Sequence, residues 1–229
     1  MPDFRTTGRP DTYKMAAMRS NRFRLLILAF SAASGCAPPA APPDLAAPLE
    51  TQVRRSSWSS PYASGEQLRS RHYRIYCTAT NPQLVAIAPG FMEAAYENYL
   101  RLTSLPDRPA DEPMPIYLLG TRKEWAALTL KVAGPQAGTY LKIEAGGYYR
   151  NGVCVFWDIG GLGTLAVASH EGLHQFLHHR LRQSLPIWME EGLATLSEGY
   201  HVEGERVWFT PERNLFRFRD LRVAIVEDY

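Results

Sequence analysis

The sequence of 229 residues predicts an α+β fold, in which short strands are interspersed with longer helices. Residues 72–79 alternate apolar and polar side chains, with Tyr73, Ile75 and Cys77 on one face, as a half-buried strand does. The apolar run 114–119 has the length of a second strand. Around His170 the apolar residues suit a helix, so strands and helices are expected in the same domain.

Further elements follow from the same patterns. Strands are predicted at 72–79, at 114–119, at 139–143 and, as one strand or two, within 148–158. A hairpin is predicted around Glu203-Gly204. Helices are predicted at 81–102, at 121–130, around His170 and after Pro186. Pro89-Gly90 is expected to break or kink the first helix, and Thr121 and Thr164 are expected to cap the second and third.

The most informative stretch is 169–174, which reads Ser-His-Glu-Gly-Leu-His and contains the pattern HExxH. In a helix, His170 and His174 lie on one face about one turn apart, so both imidazoles can bind one metal ion. Glu171 follows the first histidine and can reach a water molecule held by that ion. Two imidazoles beside a carboxylate base predict a zinc hydrolase.

A catalytic zinc ion needs a third protein ligand, and the residues directly after the motif do not provide one. The longer pattern HExxHxxGxxH fails, because this sequence has Leu177 and Arg180 at the matching positions. His178 continues the i, i+4 series but lies about 12 Å along the helix axis from His170, too far to share one ion easily. His178 and His179 are therefore interpreted as surface or packing residues.

A second motif lies downstream, where residues 188–194 read Trp-Met-Glu-Glu-Gly-Leu-Ala. With HExxH followed by Trp-x-x-Glu-Gly-x-Ala, the chain between about residues 71 and 200 resembles the gluzincins, the zinc peptidases that include thermolysin and aminopeptidase N. The resemblance implies four site residues in two roles, with Glu171 as the general base and His170, His174 and Glu191 as the metal ligands. Glu190 is the rival third ligand, one place off the pattern.

The resemblance also implies a zincin-like fold, with a mixed sheet packed against the HExxH helix and a following helix that carries the glutamate ligand. In that architecture an edge strand pairs with extended substrate, and residues 152–157 form either this edge or an internal strand. Trp157 and Trp188 either line the cleft or belong to the core. Thermolysin-like enzymes place an aspartate four residues after the ligand glutamate to orient a histidine, whereas this chain has Thr195 there.

The implied activity is hydrolysis of peptide bonds in a peptide or protein substrate, with Zn²⁺ as the cofactor. Glu171 would take a proton from the attacking water and deliver it to the leaving amine. Candidates for steadying the oxyanion are Tyr200, His201, Tyr148 and Tyr140. Two alternatives stay open: a zinc-binding envelope lipoprotein with this fold but little or no proteolytic activity, and a lipoprotein without metal in which HExxH is coincidental.

The N-terminal region has the order of a secretory signal, with three arginines, an apolar run at 25–30 and small residues at 31–35. That run is shorter than the about 20 residues of a transmembrane helix. Ala33-Ser34-Gly35-Cys36 resembles a bacterial lipobox, which implies lipidation of Cys36 and a membrane anchor on the periplasmic or extracellular face of the cell envelope. Ordinary secretion is the alternative, and Met15 or Met18 is an alternative start.

Three regions are therefore predicted: a signal peptide at 1–35, an Ala/Pro-rich linker at 36–70 and a metallopeptidase domain at 71–229, which looks C-terminally incomplete. Residues 1–35 hold six Lys or Arg and two Asp, so a chain without them has a net charge of −2 rather than +2. No nucleic-acid partner is expected from this charge. Cys77 and Cys154 are either a disulfide or two buried thiols.

Overall fold

The computed structural model describes residues 47–108, 112–181 and 183–214, together with Arg217. The predicted signal peptide at 1–35 and the predicted lipidation site Cys36 lie outside these residues. The strands of the described part are β1 Ala47–Pro48, β2 Arg54–Ser59, β3 Ser64–Arg69, β4 Tyr73–Cys77, β5 Met114–Leu119, β6 Gly147–Arg150, β7 Val153–Trp157, β8 Tyr200–Glu203 and β9 Arg206–Phe209. Its α-helices are α1 Pro82–Thr103, α2 Arg122–Ala133, α3 Ala137–Tyr140, α4 Gly161–Arg180 and α5 Ile187–Glu198.

The main sheet has the strand order β2-β3-β4-β5-β7-β6. Strands β4, β5 and β7 run parallel, whereas β2, β3 and β6 are joined by antiparallel pairing. Helices α1 and α4 cover one face of this sheet, and α2 and α3 cover the other. A smaller sheet, with the order β1-β9-β8, packs against α1. The prediction of an α+β fold with a mixed sheet is confirmed.

The folded domain begins before residue 71, which corrects the prediction of a linker through residue 70. Strands β2 and β3 form a hairpin, and β3 pairs with β4. Leu68 is fully buried, and the Trp58 ring lies 5.2 Å from the ring of Tyr76 and 5.8 Å from that of Tyr117. The edge strand β2 is exposed at nearly every position, so it lacks the alternation by which a strand is detected.

Helix α1 continues through Pro89, so of the break or kink expected at Pro89-Gly90, the break is not found. The side chain of Asn81 caps its first turn by accepting two backbone N–H groups. A proline removes only one backbone donor, and the packing around it here outweighs that loss. A Cβ atom added at Gly90 would lie 1.7 Å from the carbonyl oxygen of Leu49, so the glycine is what lets the chain after β1 contact this helix.

Thr121 caps α2 as predicted, and with Glu124 it forms a reciprocal capping box. The strand predicted at 139–143 is wrong, because α3 ends at Tyr140 and a turn follows. The Tyr140 ring is buried 4.4 Å from the ring of Tyr148 on β6. A run of five residues is too short to distinguish a strand from a buried helical turn.

The two-residue turn Asn151-Gly152 joins β6 to β7 and divides the predicted region 148–158 into two strands. The φ angles of these residues are 49° and 83°, as a tight hairpin turn requires. Strand β7 lies between β5 and β6, so residues 152–157 belong to an internal strand rather than to an edge strand. Strand β6 forms the edge on this side of the sheet. Trp157 belongs to the core, whereas Trp188 is exposed.

The hairpin predicted around Glu203-Gly204 is confirmed as β8 and β9. Cys77 and Cys154 are buried free thiols on β4 and β7, with β5 between these strands. In the part of the chain that the structure describes, no helix has both the length and the apolarity needed to cross a membrane.

Candidate metal centre

Helix α4 holds the HExxH residues in its buried middle, over the main sheet. It begins at Gly161, and Thr164, which the sequence predicted as its cap, lies inside the first turn instead. The Thr164 hydroxyl accepts the N–H of Ile159 at 3.0 Å, which ties the preceding loop to the helix.

Helix α1 fixes the position of α4 through a close contact beside the motif. A Cβ atom added at Gly172 would lie 2.6 Å from Oη of Tyr99 and 2.9 Å from Cε of Met92. Tyr99 donates its hydroxyl to the carbonyl oxygen of Ser169 at 2.6 Å. The glycine inside HExxH therefore permits the helix contact that holds both histidines in place.

The three predicted ligands meet at one point. The Nε2 atoms of His170 and His174 lie 3.3 Å apart. Oε2 of Glu191 lies 3.5 Å from Nε2 of His170, and Oε1 lies 3.6 Å from Nε2 of His174. The donor atoms of this group all lie within 4.8 Å of one another, so it could hold a metal ion.

The spacing of these donor atoms fits a small ion. Two ligand atoms about 2 Å from a tetrahedral ion are about 3.3 Å apart. The Nε2–Nε2 separation of 3.3 Å matches this value, and each Nε2 lies 3.5 or 3.6 Å from one of the two carboxylate oxygens of Glu191. The histidine side chains are 1% exposed and that of Glu191 is 34% exposed, so the site opens to solvent on the Glu191 side.

Carboxylates from α5 hold the other nitrogen of each histidine. His170 Nδ1 lies 2.7 Å from Oε1 of Glu198, and His174 Nδ1 lies 3.2 Å from Oε1 of Glu190. A carboxylate that accepts a hydrogen bond from Nδ1–H keeps the proton on that nitrogen, which leaves the lone pair of Nε2 for a metal ion. Helix α5 thus contributes one glutamate to the Nε2 side and two to the Nδ1 side.

The charges of this cluster favour a bound cation. Burial lowers the pKa of His170, but hydrogen bonds to Glu191 and Glu198 outweigh it and raise the pKa to about 9. Burial raises the pKa of Glu198, but hydrogen bonds to His170 and Arg217 outweigh it and lower the pKa to about 2. The pKa of Glu191 is also lowered, because hydrogen bonding to His170 outweighs burial. The carboxylates are therefore ionised at neutral pH, as metal ligands and their supports need to be.

Glu190, the rival third ligand, is placed outside the ligand group. Its side chain is 1% exposed and contacts the Nδ1 side of His174. Nε2 of His178 lies 3.2 Å from Oε1 of Glu190, so His178 contacts this supporting carboxylate. His178 is not in the group of candidate ligands, as the distance along the helix indicated.

Glu171, the predicted base, is buried beside the ligands and faces the edge strand. Its Oε2 accepts the backbone N–H of Tyr149 on β6 at 2.7 Å. Among the described residues, the hydrogen bonds of the carboxylate engage Oε2, and Oε1 remains to accept a proton. Glu171 is not part of the candidate ligand group.

The four oxyanion candidates occupy two separate places. Tyr148 and Tyr140 belong to the core on the α2 face of the sheet, opposite α4, so neither can serve the metal centre. Tyr200 begins β8 and donates its hydroxyl to the carbonyl oxygen of Leu162 at 2.9 Å. The His201 ring stacks on the ring of Trp208.

Sequence reasoning missed Glu198, although it stands seven residues after Glu191 and so lies on nearly the same face of α5. It also missed Asn214 and Arg217, which contact Glu198 and carry no sequence signal.

No protein family, curated protein or solved structure matches the chain.

Proposed function

We propose that the chain is a zinc-dependent peptidase of gluzincin type, with a zincin-like fold, that hydrolyses peptide bonds at the bacterial cell envelope. One observation carries the proposal. His170, His174 and Glu191 direct three donor atoms at one point, and each imidazole is supported on its Nδ1 side by a carboxylate. Glu171 directly follows His170 on α4.

The donor set supports zinc as the metal. Two imidazole nitrogens and one carboxylate oxygen are a common protein ligand set of catalytic zinc, which keeps a fourth position for water or substrate. The partial exposure of Glu191 supports such an open position. A bound Zn²⁺ ion would polarise the scissile carbonyl group and lower the pKa of a water molecule.

The residues around the ligands have defined tasks in this proposal. Glu171 takes a proton from the attacking water on Oε1, the oxygen that does not accept the Tyr149 N–H, and passes it to the leaving amine. The Tyr149 N–H holds the other oxygen, so the carboxylate keeps its orientation during both transfers. Substrate reaches the ligands from the open Glu191 side.

A second candidate is a zinc-binding envelope protein with this fold and no peptidase activity. The observation that favours it is the burial of Glu171, which is 3% exposed and accepts a backbone hydrogen bond, as a structural carboxylate also does. In either case, the N-terminal sequence supports export and a lipid anchor at Cys36.

The test measures metal content and peptide cleavage separately on the full chain. We expect one Zn²⁺ per chain by elemental mass spectrometry, with loss of the metal in His170→Ala and in His174→Ala. Incubation with an unbiased peptide library is expected to yield cleavage products. Glu171→Gln is expected to retain zinc and to lose about 10²- to 10⁴-fold in rate.

Each outcome separates the candidates. Cleavage by wild type but not by Glu171→Gln supports the peptidase. Zinc in wild type without cleavage of any peptide supports the zinc-binding protein. Full zinc content in His170→Ala or His174→Ala contradicts the metal centre itself.

A further inference from the structure

We propose that Glu198 is the residue that keeps His170 in its metal-binding orientation, and that Asn214 and Arg217 in turn hold Glu198. This inference rests on the proposed function. It adds that the metal affinity of the centre depends on Asn214 and Arg217, two described residues after the β8–β9 hairpin that lie outside the candidate ligand group.

Glu198 takes the task that Thr195 cannot perform. The Thr195 hydroxyl donates to the carbonyl oxygen of Glu191 at 2.8 Å, so it is engaged within its own helix. Glu198 lies one further turn along α5, and its Oε1 accepts Nδ1–H of His170 at 2.7 Å. The side chains of this pair are 10% and 1% exposed, so water does not compete strongly for the hydrogen bond.

Both oxygens of Glu198 are held by the segment after β9. Asn214 donates its Nδ2–H to Oε2 at 2.8 Å. Arg217 donates from Nε to Oε2 at 2.9 Å and from Nη2 to Oε1 at 2.6 Å, which is a two-pronged guanidinium–carboxylate contact. The carboxylate therefore cannot turn away from His170 without breaking several hydrogen bonds.

Arg217 and Asn214 contact Glu198 and lie outside the candidate ligand group, so both are positioning residues in this proposal. A fixed acceptor at Nδ1 selects the tautomer that leaves Nε2 free, and it makes that nitrogen a stronger ligand. Loosening Glu198 is expected to weaken metal binding even though all three ligands remain.

The first test compares two arginines of the same segment. Zn²⁺ affinity is measured on the full chain by competition with a fluorescent chelator. Arg217→Gln is expected to lower the affinity about two- to fivefold, the range for loss of one partly exposed ion pair. Arg213→Gln removes the same charge from an exposed neighbour and is expected to leave the affinity unchanged. Equal effects of the two substitutions would overturn the proposal.

The second test is a double-mutant cycle. Glu198→Ala is expected to lower the Zn²⁺ affinity about 10- to 100-fold, as loss of a support to a metal-bound histidine does. Because Arg217 acts through Glu198, Arg217→Gln should have no further effect in the Glu198→Ala background. The same Arg217→Gln effect in both backgrounds would refute this dependence. If Glu198→Ala does not fold, Glu198→Gln replaces it.

A spectroscopic measurement distinguishes positioning from general stability. In the ¹⁵N-labelled, Zn²⁺-loaded protein, the Nδ1–H proton resonance of His170 should shift in Arg217→Gln and stay unchanged in Arg213→Gln. An unshifted resonance in Arg217→Gln would contradict the proposal. Wild type that binds no Zn²⁺ would overturn both this inference and the metal centre, whereas zinc binding without peptidase activity would leave this inference standing.

Discussion

Glu190 and Glu191 are neighbours in sequence but face opposite nitrogens of His174. Oε1 of Glu190 lies 3.2 Å from Nδ1, and Oε1 of Glu191 lies 3.6 Å from Nε2. Successive residues of a helix point about 100° apart, so two adjacent glutamates can reach both edges of one imidazole ring. In the proposed metal centre, Glu191 is therefore the ligand and Glu190 the supporting residue.

This arrangement predicts that replacing glutamate by glutamine lowers the Zn²⁺ affinity by different amounts at the two positions. Glu191→Gln should reduce the Zn²⁺ affinity most, because it alters a donor atom of the metal. Glu190→Gln should reduce the affinity about 10- to 100-fold, because it weakens only the support of His174. Chelator competition measures both affinities. A larger loss in Glu190→Gln than in Glu191→Gln would show that the two roles are reversed.

The contact between α1 and α4 predicts opposite stability effects for two glycines. Gly172→Ala should lower the free energy of unfolding by about 1–3 kcal/mol, because its Cβ would meet Tyr99 and Met92. Gly192→Ala is the matched control in α5, where no described atom outside the adjoining helix backbone lies within 4 Å of the added Cβ. This change should raise the free energy of unfolding by up to about 1 kcal/mol. Urea unfolding measures both, and equal signs would contradict the close contact.

A partly buried hydrogen-bonded pair away from the metal centre predicts a pH-dependent stability. Glu93 accepts the backbone N–H of His72 at 2.8 Å and lies 2.6 Å from its Nδ1. Burial raises the pKa of Glu93, but the hydrogen bonds with His72 outweigh it and lower the pKa. Since the folded-state pKa is the lower one, the stabilisation is complete above the unfolded pKa of about 4.3 and is lost as the pH falls through the folded value.

Glu93→Gln is therefore expected to lower the free energy of unfolding by about 1–3 kcal/mol at pH 7. The difference from wild type should shrink as the pH falls below about 4. Urea unfolding at a series of pH values measures it, with Glu97→Gln as the control at an exposed position of the same helix. A difference that does not vary with pH would exclude the ionised carboxylate as its source.

The N-terminal sequence predicts that Cys36 carries the membrane anchor. Cys36→Ser should move the protein from the membrane fraction to the soluble fraction or leave the leader uncleaved, because serine lacks the thiol to which the lipid is attached. Cell fractionation and the mass of the N-terminal peptide measure this outcome. Unchanged membrane attachment and processing in the variant would contradict lipidation.

The sequence by itself determined the features that depend on local geometry. His170 and His174 share a face because four residues make about one helical turn, and Thr121 caps α2 because its partner Glu124 is three residues away. The Trp-x-x-Glu-Gly-x-Ala string pointed to Glu191 through the resemblance to the gluzincins, and the structure places Glu191 in a group with both histidines that could hold a metal ion.

Only the tertiary structure decided how separate elements meet. Glu198 contacts His170, Arg217 contacts Glu198, and β7 lies between β5 and β6. In each case the separation of the residues in sequence does not predict their distance in the fold. Strand β2 was not predicted because its residues are mostly exposed and show no alternation of apolar and polar side chains. It is a strand because it pairs with β3. Such contacts form only when separate helices and strands pack against one another. Their stability therefore depends on the packing of the whole core rather than on one segment.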